Sequence, residues 1–177
     1  MVRKKAVYAV RISGLGEGLH DFSFELDDAF FALFEQAEIS HGRLNATVVL
    51  DKKAGAMALH FSLKGEVEVC CDRCLGSFMA PVENEQRIFV RSGEDVGELD
   101  DEVMVIHPDD HEIDVTQLLY EFIVLALPVQ RIHPEDENGL PGCDPEMLRR
   151  LEAHSARHEK EEIETDPRWD ALKGIKG

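Results

Sequence analysis

The chain has 177 residues, 44% of them hydrophobic and 31% charged, and its 36 acidic against 19 basic side chains give a formal charge of −17 at neutral pH. That size fits one globular domain with a tail, and a domain of roughly 150 residues buries about 68–70% of its unfolded surface, so folding by itself demands neither disulfides nor metal. The charge excludes the usual electrostatic route to nucleic acid, in which grouped lysines and arginines release condensed counterions; Arg3, Lys4, Lys5 and Arg11 make only a short basic start.

Tyr8, Val10 and Ile12 alternate as a first strand, and Phe22, Phe24 and Leu26 as a second. Gly14, Gly16 and Gly18 between them read as a turn, because the final spacing and the following helix of a dinucleotide fingerprint are missing. Asp27 or Asp28 then offers an N-cap for an amphipathic helix over residues 28–38, with Phe30, Phe31, Leu33, Phe34 and Ala37 at helical spacing. Leu44, Ala46, Val48 and Leu50 form a strand that turns at residues 52–55 into the clearest strand of the chain, residues 57–70. There Leu59, Phe61, Leu63, Val67 and Val69 alternate with His60, Ser62, Lys64, Glu66 and Glu68.

Further strands are expected at residues 82–91 and 103–106, separated by an acidic block, residues 94–102, that reads as a solvated loop. Pairing of the first strand with the fifth, residues 82–91, would gather Arg11, Arg87 and Arg91 with Arg3, Lys4 and Lys5 on one face. A second helix opens at Asp114, with Gln117 completing a capping box, and Pro128 ends it. Its stripe is Val115, Leu118, Leu119, Phe122, Ile123 and Ala126; Glu121 beside the stripe is either an edge carboxylate or a partner for a base.

The predicted fold class is therefore α+β, a mostly antiparallel β meander or partly open barrel with two packed helices and a polar, partly helical C-terminal tail. Residues 1–132 form the body and residues 133–177 the loop and tail. Asp144-Pro145 starts a tail helix over residues 145–164 with few apolar positions, and Asp166-Pro167-Arg168-Trp169 starts a last short one. Arg168 and Trp169 belong to the residue types most enriched in binding hot spots, and are candidate partner contacts.

Of the four cysteines, Cys70, Cys71 and Cys74 crowd into five residues and Cys143 lies far off, a poor extracellular staple pattern. Cys71-Asp72-Arg73-Cys74 follows directly on the strong strand and precedes Gly76, a tight knuckle able to aim two thiolates at one zinc. His133 and Cys143 are the further ligands that would close a tetrahedron if the segment after Pro128 folds back; packed or free thiols and redox chemistry are the competing readings. Cys70 points away from Cys71 and is the poorer ligand. A polar turn and a metal-hydrolase site compete for His107-Pro-Asp-Asp-His111.

Taken together, Cys71-Asp72-Arg73-Cys74-Leu75, the later Asp114, Glu121, Leu125, Leu127 and Pro128, the segment from His133 to Cys143, and Asp166-Pro167-Arg168-Trp169 with Leu172 resemble the YceD family of bacterial and plastid proteins. The resemblance covers most of the chain. Members commonly carry a second cysteine cluster after the Leu-Pro; here His133, Gly139 and Leu140 are kept and most of those thiols replaced. What the resemblance implies is a non-catalytic role in accumulation or processing of large-subunit 23S ribosomal RNA. Asp72, Arg73 and Glu121 are then partner-binding candidates beside Arg168 and Trp169. The expected partner is a ribosomal protein or large-subunit assembly factor, with 23S rRNA reached indirectly.

The alternatives are a small zinc-binding protein-interaction domain unrelated to RNA, and an enzyme built on His107, Asp109 and His111. No membrane and no small-molecule substrate is expected, since the longest apolar run, residues 122–129, contains Pro128 and the N-terminal stretch is broken by Arg11 and Ser13. The expected location is the cytoplasm.

Overall fold

A computed structural model describes residues 7–35, 38–94, 97–100 (backbone only), 102–135, 139 and 142–154. In chain order the elements are β1 (Ala9–Arg11), β2 (Gly18–Leu26), α1 (Asp28–Phe31), β3 (Gly42–Lys53), β4 (Ala56–Cys70), β5 (Ser77–Ser92), β6 (Gly97–Asp100), β7 (Val103–Ile106), β8 (Glu112–Asp114), α2 (Thr116–Leu125) and α3 (Pro145–His154). The frame is the antiparallel run β2, β3, β4, β5, each strand written with the apolar alternation that buries one face. β7 joins β5 in parallel over Phe89 to Ser92, and β6 closes the order β2-β3-β4-β5-β7-β6 as an open sheet. The architecture is α+β, as the alternation and helical spacings predict.

Leu44, Ala46, Val48 and Leu50 of β3 and Leu59, Phe61 and Leu63 of β4 share one buried core with Phe30 and Phe31 of α1 and Leu118, Leu119, Phe122 and Ile123 of α2. Phe30 is fully enclosed, with the rings of Tyr8, Phe31 and Phe34 set edge-on at 5.0–5.4 Å. Phe61 and Phe122 meet edge to face at 5.0 Å, and Phe34 stacks on Tyr120 at 4.2 Å. At one point in the sheet the strand backbones crowd: a Cβ on Gly65 would lie 2.2 Å from the Arg43 carbonyl oxygen and 2.6 Å from Leu44 Cα. No side chain fits there, which is why a glycine interrupts the alternation of β4 between Leu63 and Val67.

The structure departs from the sequence reading in several places. β5 begins at Ser77 and not at residue 82, and β8 is not among the expected strands. The first helix is one turn, capped by Asp27 Oδ1, which accepts from the Ala29 and Phe30 amides, and it gives way after Phe31 instead of running to residue 38. The turn between β3 and β4 tightens to Ala54 and Gly55, with Gly55 at φ +76°. The acidic block contains β6, because a short edge strand needs only backbone pairing and tolerates charge.

Asp114 accepts from the amide and hydroxyl of Thr116, so α2 begins two residues later than expected, and Gln117 donates to Glu121 instead of closing a capping box. Finally, β1 pairs with β8 and not with β5, because Ile12 and Ser13 donate to the His111 carbonyl and Val115 donates to that of Tyr8. Arg11 therefore does not join Arg87 and Arg91 on a common pairing, and residues 3–5 lie outside the described ones.

Candidate metal centre

Where β4 runs out, period-two alternation sends Cys70 to the surface and Cys71 inward. The chain then turns back on itself: the Leu75 amide donates to the Cys71 carbonyl and the Cys71 amide to that of Gly76, both at 2.9 Å. Leu75, at φ +60°, takes the left-handed conformation that this reversal imposes. The result brings the thiols of Cys71 and Cys74 to one side of a knuckle at the start of β5.

The other half of the cluster arrives from beyond α2. Asp72 and Arg131 bind reciprocally, the Asp72 amide to the Arg131 carbonyl and the Arg131 amide to Asp72 Oδ2, each at 2.7 Å. The Arg131 guanidinium is paired with Glu38, whose amide donates to the Tyr120 hydroxyl at 3.2 Å. This anchor sets His133 over the knuckle, with its ring 4.7 Å from that of Phe78. The Gly142 amide then donates to the Pro134 carbonyl, and a Cβ on Gly142 would sit 2.7 Å from that oxygen, so the loop closes tightly enough to deliver Cys143. Asp144 caps α3 through the Glu146 amide at 2.8 Å.

Four ligand atoms converge as a consequence, all within 4.8 Å of one another: the thiols of Cys71, Cys74 and Cys143 and a nitrogen of His133. Cys71 and Cys143 Sγ are 3.7 Å apart, Cys74 Sγ is 3.4 Å from His133 Nδ1, and Cys143 Sγ is 3.8 Å from it. All four cysteines are free thiols. Zinc–sulfur bonds of about 2.3 Å in a tetrahedron imply sulfur–sulfur edges of about 3.8 Å, so the spacing and the Cys3His chemistry both fit zinc. Phe78, Met147 and Leu148 cover the thiols, a small apolar cluster that meets the main core through Phe78.

Burial alone pushes the Cys71 thiol up, but the amides of Cys74, Arg73 and His133 and the His133 ring together outweigh it and hold the group down at about 5. That pull toward the thiolate is what a metal ligand requires. Cys143 is raised, first by burial and then by the neighbouring Cys71 and Cys74 sulfurs. Three thiols crowded into an apolar pocket repel one another as anions, and a cation between them relieves both effects.

The structure gathers the four ligands named from sequence and distributes the other candidates. Asp72 is engaged in holding Arg131, while Arg73 next to it is exposed at the knuckle. Glu121 is half-buried on α2, bonded to Gln117, and lines a groove beside β5. Arg168 and Trp169 lie outside the described residues. His107 and Asp110 close the turn between β7 and β8 through backbone bonds, the His107 amide reaching Asp110 Oδ2 at 3.0 Å. Among the described residues no second group of His, Cys, Asp or Glu converges as the cysteines do. The Asp72–Arg131 tie and Gly142 escaped the sequence reading; Gly142 directly before Cys143 was their one local signal.

Such a fold, an open sheet whose central hairpin ends in a thiolate knuckle clasped by a returning segment, defines an α+β protein with a metal-type clip outside its core. The family model described as large ribosomal RNA subunit accumulation protein YceD matches residues 59–176, more than half of the chain, and the chain belongs to that family. The matched stretch holds all four clip residues. No curated protein and no solved structure matched.

Proposed function

We propose that this protein is a non-catalytic ribosome-biogenesis factor of the cytoplasm, supporting accumulation or processing of large-subunit 23S rRNA through contacts with a ribosomal protein or assembly factor. Family membership is the observation that carries the reading. Net charge selects the route: at −17 the surface opposes a phosphate backbone and complements a basic protein. In this reading zinc, held by Cys71, Cys74, His133 and Cys143, supplies a structural cross-link and no chemistry. It fixes the returning segment and α3 against the end of the β4–β5 hairpin, so that the knuckle, with Arg73 exposed, forms a rigid surface.

The test is sucrose-gradient sedimentation of the tagged full chain from cells, with identification of co-purifying molecules. Co-migration with large-subunit precursors is the expected result, weakening as salt rises and the Debye length falls to about 8 Å near physiological strength. A protein that stays at the top of the gradient at low salt would contradict the reading.

A further inference from the structure

β5 is longer than its neighbour on one side. It pairs with β4 from Ser77 to Val90, but β7 covers it only from Phe89 onward. Among the described residues, the edge of β5 before Phe89 has no strand beside it.

The phase of that edge is fixed at both ends. The Gly76 carbonyl accepts from Cys71 on the β4 side, and the Phe89 amide donates to Glu102 on the opposite side, with unbroken register between. Odd-numbered residues therefore aim their backbone groups outward. Pro81, which has no amide to offer, falls in this set, where a proline costs the β4 ladder nothing. Among the described residues, the outward amides and carbonyls of Glu83, Glu85 and Arg87 have no backbone partner in the plane of the sheet.

A groove of about 980 Å³ reaches this edge and extends from it across the outer face of the sheet, over Thr47 and Val49 of β3 and His60 and Ser62 of β4. All of residues 85–89 line it, and since alternate side chains point to opposite faces, a cavity touching each in turn straddles the strand edge. Leu118 and Phe122 of α2 give it an apolar wall. Its carboxylates are Glu85, Glu102 and Glu121, against Arg87, whose guanidinium is spread over the Phe89 ring at 4.2 Å.

We infer that the edge of β5 at residues 83–87 receives an extended, lysine- or arginine-bearing segment of a partner protein as an added strand, with apolar side chains entering the groove against α2. The glutamates decide the occupant. They repel the same edge of a second copy and any nucleic acid strand, and they complement a basic peptide. The inference rests on the reading that this protein works through protein contacts, and it names the surface.

The probe is a short synthetic peptide of alternating lysine and valine, titrated into the isotope-labelled full chain. Binding should slow amide hydrogen exchange at Glu83, Glu85 and Arg87, and N-methylation of every second peptide residue should abolish the effect. Glu85→Pro, in the same phase as Pro81, keeps the β4 ladder and should weaken the peptide at least about tenfold with the fold intact. Should Glu85→Pro perturb the sheet, Glu85→Lys should weaken the peptide most at low salt. Peptide binding that leaves those three amides unprotected, or preferential protection of them by oligouridine, would overturn the proposal. Sedimentation separates the two claims: a wild-type chain that takes the peptide but ignores ribosomal particles defeats the proposed function and leaves the edge site standing. A Glu85→Pro chain that sediments with particles as wild type does would defeat the edge site and leave the function standing.

Discussion

Replacing Cys71 and Cys74 together with Ser should abolish zinc binding and release His133, Cys143 and the start of α3 from the end of the sheet, while the far-UV spectrum stays close to that of wild type. The expectation follows from how little the two clusters share: the main core is built from the strands, α1 and α2, and among the described residues the thiols pack with Met147, Leu148 and Phe78, of which Phe78 alone also touches that core. α3 has no buried residue of its own, and a ten-residue helix with so little anchorage is marginal in water without a partner surface. Losing the clip leaves the reciprocal Asp72–Arg131 bonds and the Arg131–Glu38 pair as the remaining tethers, all partly accessible to competing water. Hydrogen exchange should therefore show loss of protection at His133 and in the first turn of α3, with β3, β4 and β5 unchanged. Global unfolding of the double variant would mean that the clip, and not the sheet, sustains the fold; full zinc content would mean that the metal is held elsewhere.

Phe30→Ala should be the most destabilising of single core truncations, by about 3–5 kcal/mol. The residue sits on a helix of one turn, is fully buried, and makes three edge-on ring contacts, with Tyr8, Phe31 and Phe34. Tyr8 comes from a distant part of the chain and Phe31 is itself buried, so the site has little freedom to collapse and fill the void. Leu33→Ala, at a position 53% exposed, should change stability by no more than about 0.5 kcal/mol. Urea denaturation of the two variants measures both; a loss below about 1 kcal/mol for Phe30→Ala would show that α1 does not seal this end of the core.

What the sequence made legible follows from how local each signal is. Alternation in β3 and β4 and the stripe of α2 are written within single segments, and each of those elements is present with its apolar face buried, shifted only at its ends. The pairing of β1 with β8 and the strand β6 were not legible, because both are short strands whose partners are set by backbone bonds across the fold instead of by side-chain pattern. The clip shows the same division. Cys71 and Cys74 announce themselves by spacing, whereas His133 and Cys143 depend on a reversal held by Asp72, Arg131 and Gly142, a long-range arrangement with no periodicity behind it. The open edge of β5 was invisible for a similar reason: it exists because β7 is shorter than β5, a relation between strands that no single segment records.

The central claim is that this acidic protein serves ribosomal RNA through a protein intermediary. Gel-shift titration of isolated 23S rRNA fragments with the purified full chain at physiological salt tests it most directly. The account predicts no specific binding in the nanomolar range without an added protein, since too few cations are gathered to displace the condensed counterions of the RNA. Specific nanomolar binding to naked RNA would contradict it.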